Sequence, residues 1–235
     1  MYFRNCDLET VGLAVAAKWV DPVSAPSNYK DPEKIADYIR DATARQLEQF
    51  GLNAHTLRVV AFGCEDIGLA EPTIALCSTE FEEREQLKQQ WETWADLQRK
   101  SAEAQRDLAP YHRTDPVFLT FNGNRFDLVV LMIRSMWLKV KYPKLNLDRW
   151  RSPHIDLYKV LTCNYLIDGG SLRFFAKRAG LPVYDDITGR DVAAMVAAGD
   201  WQKVHDHCLN DLSLNRALAE TIGEIPVIRK EAAVA

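Results

Sequence analysis

Five side chains in this sequence have the types and spacings that do chemistry. Asp7 and Glu9 follow Tyr2 to Cys6, which reads as a short β-strand. Alternate residues of an extended backbone share a face, so the two carboxylates point the same way. Two acids on one face repel unless a cation sits between them. The apolar continuation Gly12 to Ala17 suggests burial rather than a wet edge. Asp127 ends the run Phe121-Asn122-Gly123-Asn124-Arg125-Phe126-Asp127, placed after a β-rich stretch opened by a proline (Asp115 to Thr120). Strand, Asn-Gly turn and helix is the local reading, with Asp127 in the first helical turn, where the helix dipole alone would favour an acid. His207 and Asp211 stand four apart on a late helix, one turn from each other on one face, and Asn215 continues that stripe. Taken alone, such a pair reads as a surface hydrogen bond.

The elements that must position these groups follow from periodicity. Residues 21–30 are turn-rich. Asp31-Pro32-Glu33 reads as N-cap, N1 proline and first-turn acid of a solvated helix running to about Phe50 and stopping at Gly51. Leu57 to Gly63 and Glu71 to Cys77 read as strands. A long charged helix is expected at about Glu80–Arg106, with Leu87, Trp91, Trp94 and Leu97 on its inner face. After Asp127, the spacing of Phe126, Val130, Ile133, Trp137 and Val140 predicts the buried side of the next helix, which Pro143 must end nearby. His154 to Tyr158 reads as a strand or loop entering a helix that Asp156 caps. Short helices are expected at Ser171–Gly180 and Asp191–Ala198, and a long one from Asp200 to about Ile222. Strands alternating with helices after residue 57 indicate an α/β protein.

Bulk properties exclude little. The 235 residues, 47% hydrophobic, suffice for one large domain with insertions. The net charge of −4 argues against a non-specific duplex binder resting on a broad basic face, but not against an enzyme whose acidic site is neutralised by bound cations. Five cysteines without a C-x-x-C pair read as reduced thiols of a soluble, cytoplasmic protein. No apolar run approaches bilayer length, so no membrane contact is expected.

Order is more informative than any single motif. D-x-E closing the first strand, N-x-x-x-F-D opening a central helix and H-x-x-x-D in a late helix together resemble the DEDD superfamily of 3′–5′ exonucleases. The likeness is to the proofreading exonuclease domain of family B DNA polymerases and its stand-alone relatives. Their F-D-I-E-T, Y-N-x-x-x-F-D and Y-x-x-x-D are matched by Cys6 to Thr10, Phe121 to Asp127 and His207 to Asp211. One position departs: the family's tyrosine is His207 here. The sister group does use histidine, but one residue earlier, where this chain has Asp206.

The resemblance implies a ribonuclease H-like fold: a central mixed β-sheet flanked by helices, in one exonuclease domain over 1–235, with a helical insertion at about 20–56. It implies two divalent cations, Mg²⁺ or Mn²⁺, held by Asp7, Glu9, Asp127 and Asp211, with His207 aligning a water. Thr10, Asn122 and Phe126 are the implied substrate contacts, although Asn122 would equally serve the turn and Phe126 the core. The expected substrate is the 3′ end of single-stranded DNA, cut stepwise to nucleoside 5′-monophosphates, with a polymerase or repair partner in trans. An exoribonuclease on the same scaffold, or a binding module that has lost activity, are the alternatives. Lys30, Lys34, Arg40 and Arg45 of the insertion interleave with acids and read as a solvated face. His205, His207 and Cys208 lack a second matching group and do not read as a zinc site.

Overall fold

The computed structural model describes residues 1–227. Its centre is a five-stranded mixed sheet in the order β3-β2-β1-β4-β5. β1 (Phe3–Gly12), β2 (Leu57–Asp66) and β3 (Thr73–Leu76) form an antiparallel meander, while β4 (Val117–Thr120) and β5 (Ile155–Asp156) run parallel to β1. The C-terminal ends of β1, β4 and β5 therefore share one edge of the sheet. This is a ribonuclease H-like fold.

Between β1 and β2 lies the expected helical excursion: α1 (Pro32–Glu48), capped by the Asp31 side chain and buried nowhere along its length, with 3-10 turns at Ala14–Lys18 and Gln49–Leu52. Its inner end is Phe50, which packs with Leu13 and Ala16 in a small separate cluster. Of the stretch Gly12 to Ala17, expected to be buried, only Leu13 and Ala16 are; Gly12, Ala14, Val15 and Ala17 are exposed.

Alternation along β1 and β4 divides the core. Cys6, Leu8 and Phe118 face α2 (Glu80–Ala104) and α3 (Asp127–Trp137). Phe3, Val117 and Leu119 face α5 (Leu172–Arg178) and α7 (Trp201–Thr221). The short α4 (Leu157–Leu161) and α6 (Val192–Ala198) complete the chain. Leu87, Trp91, Trp94 and Leu97 form the inner face of α2 as expected, and Trp94 stacks on Phe118 at 3.9 Å between ring centres.

The face of α3 follows its apolar spacing only in part. Val130 and Val140 are buried and Phe126 packs on the core, but Trp137 is 56% exposed, and the buried side also carries Leu128, Leu131, Arg134 and Ser135. Arg134 goes inward because Glu83 accepts from its Nε and Nη2 at 2.7 Å each, and Glu80 accepts at 2.8 Å. Glu83, itself fully buried, also accepts the Val59 amide. A paired, hydrogen-bonded charge can be buried where an unpaired one cannot, and periodicity counted on apolar residues does not see it.

Candidate active site

Asp7 and Glu9 occupy odd positions of β1, hence the face covered by α7. A register shift between Glu9 and Thr10, which leaves Val60 of β2 without a partner in β1, interrupts the ladder directly after the second carboxylate, a device common beside active sites. α7 is drawn close by two features. The Asn5 side chain donates to the Leu212 carbonyl at 2.8 Å. Gly63, the cross-strand partner of Asp7, leaves room for α7: a Cβ there would lie 2.7 Å from the Cys208 sulfur. His207 and Asp211 consequently face β1, and ligand atoms of Glu9, His207 and Asp211 fall within 4.8 Å of one another.

Asp127 arrives from the neighbouring strand end. The turn after β4 places Asn122 at φ 63°, and Gly123 packs so tightly that a Cβ would stand 2.3 Å from the Thr120 hydroxyl oxygen. Asp156 holds this turn. One of its carboxylate oxygens accepts from the Asn122 amide (2.8 Å) and the Lys159 amide, which makes it the α4 cap; the other accepts from the Asn124 amide (3.1 Å) and the Tyr165 hydroxyl. Asp127 sits just after, buried, at the N-terminus of α3.

The four acids act on one another's charge. Burial and then the charge of Asp127 push Asp7 up to about 8. Burial, followed by Asp7 and Asp211, holds Glu9 well above the usual carboxylate range. Asp211 rises to about 7 through burial and then Asp7, partly offset by His207. Asp127 is also pushed up to about 7 by burial, although hydrogen bonds from its own amide and that of Leu8 favour the charged form. Such crowding disfavours ionisation of neighbouring carboxylates. Buried oxygens of Asp7 and Asp211 have no hydrogen-bond partner. An acidic, oxygen-rich set with unmatched acceptors fits hard divalent cations.

Two groups at the site carry no signal in sequence. Asp185, in the irregular link before α6, accepts from His207 Nδ1 at 3.1 Å and lies 3.4 Å from the Asn210 side-chain nitrogen. A carboxylate only accepts, so the Nδ1 proton points to Asp185 and Nε2 faces Glu9 at 3.5 Å. Cys208 is buried 4.0 Å from the Asp7 carbonyl oxygen, its thiol held neutral well above the usual range by burial and then by Asp7 and Glu9. His205, by contrast, pairs with Asp206 away from this cluster.

The implied substrate contacts fall in different surroundings. The Thr10 hydroxyl donates to the Gly51 carbonyl, tying β1 to the helical excursion. Beyond it opens a cleft of about 430 Å³ lined by Gly12, Leu47, Gln49, Gly189 and Arg190 among others. Asn122 uses its backbone to meet Asp156, and Phe126 packs partly buried against the α2–α3 core. On α1, Arg40 pairs with Asp37 and Asp41. None of the described helices is long and apolar enough to cross a membrane.

Fold and cluster together define a ribonuclease H-like protein of the nuclease type. The chain belongs to the family described as predicted 3′–5′ exonucleases related to the exonuclease domain of PolB, which matches residues 70–215. That match takes in Asp127, His207 and Asp211, whereas Asp7 and Glu9 lie before it and join the site through the sheet. Comparison with curated proteins finds no match.

Proposed function

We propose that the protein is a metal-dependent 3′–5′ exonuclease that removes nucleoside 5′-monophosphates one at a time from the 3′ end of single-stranded DNA. The observation that carries this reading is the convergence of Asp7, Glu9, Asp127 and Asp211 at the end of the parallel strands, with unmatched buried oxygens turned into the cluster. Asp7, Glu9, Asp127 and Asp211 would hold two Mg²⁺ or Mn²⁺ ions. Bound there, such ions supply charge neutralisation for the attacked phosphodiester and lower the pKa of water.

The remaining steps belong to the chain. His207, with Nδ1 anchored on Asp185, presents Nε2 to orient the nucleophilic water and take its proton. The cleft beyond Thr10 would receive the terminal nucleotide, with Arg190 in its lining to meet a phosphate. A 5′-labelled single strand incubated with Mg²⁺ or Mn²⁺ should give a ladder of shortened products, lost with EDTA or in Asp127→Ala. A ladder that survives both would overturn the metal-dependent reading. Parallel DNA and RNA strands decide the sugar. His207→Ala should slow turnover by about 10²–10⁴-fold, the usual contribution of a general base, with metal affinity retained in calorimetric titration.

A further inference from the structure

The segment 139–151 (KVKYPKLNLDRWR) holds five basic residues and one acid in a chain of net charge −4. On α2, by contrast, Lys88, Arg99 and Lys100 each pair with an acid one turn away. Among the described residues, no such ion pair involves Lys139, Lys141, Lys144, Arg149, Arg151 or the nearby Arg125. Charges left unmatched on one surface await a polyanion.

The same surface is built around aromatic rings. Arg149 lies 4.9 Å over Trp150, whose ring is 64% exposed, and its guanidinium donates to the Asn164 carbonyl. Arg125 lies 3.6 Å over the ring of Tyr165. Cys163, Asn164 and Tyr165 all adopt left-handed backbone (φ 51°, 62° and 63°), which L-residues rarely do in succession. What fixes this turn is the Tyr165 hydroxyl, donating at 3.0 Å to the same Asp156 carboxylate that holds the turn before Asp127. The platform is therefore fastened to the active-site wall, and Arg125 joins the two, only two residues before Asp127.

We propose that Arg125, Arg149, Trp150 and Arg151, with Lys144, form a binding track for the single-stranded nucleic acid upstream of its 3′ end. Guanidinium groups meet successive phosphates, and the open face of Trp150 stacks on a base, a sequence-tolerant mode. This rests on the exonuclease reading and adds to it the path of the strand away from the cut.

The test separates the two. Affinity is read by fluorescence anisotropy with a labelled oligothymidylate of about twelve nucleotides, within the usual range of roughly 4–16 per single-strand site. The full chain carrying Asp127→Asn is used, so that nothing is cut. Metal-site activity is read separately as p-nitrophenol release from the p-nitrophenyl ester of thymidine 5′-monophosphate, too small to reach the track.

Arg149→Ala with Trp150→Ala should weaken strand affinity at least tenfold and flatten the salt dependence by about 0.7 for each phosphate no longer neutralised, with ester hydrolysis unchanged. Lys144→Glu with Arg151→Glu, confined to exposed side chains, should do the same without disturbing the hydrogen bond to Asn164. Arg149→Lys with Trp150→Phe should keep most of the affinity. Unchanged affinity and salt slope in both of the first two variants, with ester hydrolysis intact, overturns the track and leaves the exonuclease reading standing. If the unmodified chain hydrolyses neither ester nor strand, yet strand affinity falls in both variants, the track stands and the exonuclease reading falls.

Discussion

Two groups of buried charge flank this sheet and differ in how they are balanced. On the α2–α3 face, Glu83 and Glu80 surround Arg134, and every close contact is a charge-assisted hydrogen bond. On the α7 face, four acids crowd together beside His207, with the Arg173 charge also felt by Asp211, and two carboxylate oxygens are left without a partner. The first set is complete within the chain and serves the fold. The second is left unbalanced within the chain, and protonation of the raised acids relieves its repulsion. That imbalance is what our proposal of a metal site rests on.

The comparison can be broken at its sharpest point by Asp127→Asn. Turnover of a labelled strand should fall on the order of 10⁴-fold, roughly 5 kcal/mol at about 1.36 per decade, while the metal-free protein becomes more resistant to urea because one repelling charge is gone. The opposite result is expected on the other face. Arg134→Leu strands Glu83 inside the protein and should reduce stability by about 3–5 kcal/mol in chemical denaturation, and adding Glu83→Leu should recover much of it.

The pH response comes next. Asp7, Asp127 and Asp211 titrate at about 8, 7 and 7 in the fold, against roughly 4 in an unfolded chain. Between those limits the native state binds more protons than the unfolded state, so stability falls as pH rises from about 4 to 8. Metal-free protein should therefore melt at a lower temperature at pH 8.5 than at pH 6, and Mn²⁺ should narrow the gap. A melting temperature flat across that window in EDTA would show that the acids are not crowded. The smallest effect is expected from Gly63→Ala. Its Cβ would press on Cys208, with a stability loss of about 1–3 kcal/mol typical of overpacking and a measurable fall in kcat as α7 moves away from Asp7.

Much of this arrangement is legible in the sequence where a period reports it. Leu87, Trp91, Trp94 and Leu97 mark the inner face of α2 because a helix repeats every 3.6 residues, and Asp7 and Glu9 share a face because a strand repeats every two. The D-x-E, F-D and H-x-x-x-D groups could be ordered into one candidate site through their resemblance to the DEDD exonucleases, since each alone has a bland reading. What escaped was whatever depends on contacts without a period. Trp137 sits outside at the end of α3, donating to His55, while Arg134 is held inside by Glu83 fifty-one residues earlier. Asp185 lies in an irregular link and meets His207 only once the chain has closed on itself. Asp156 shows half of its role, the cap, in its local sequence; its hold on the Asn122 turn comes from a neighbouring strand.

The bulge after Glu9 has a consequence for how this chain can vary. Upstream of it, β1 is locked to β2 residue by residue from Arg4 opposite Asp66 to Glu9 opposite Ala61; downstream, pairing restarts at Thr10 opposite Val59. The helical excursion leaves the sheet only beyond Gly12, opposite Leu57, so three paired residues stand between it and the bulge, and a change in its length should leave the two carboxylates where the sheet has set them.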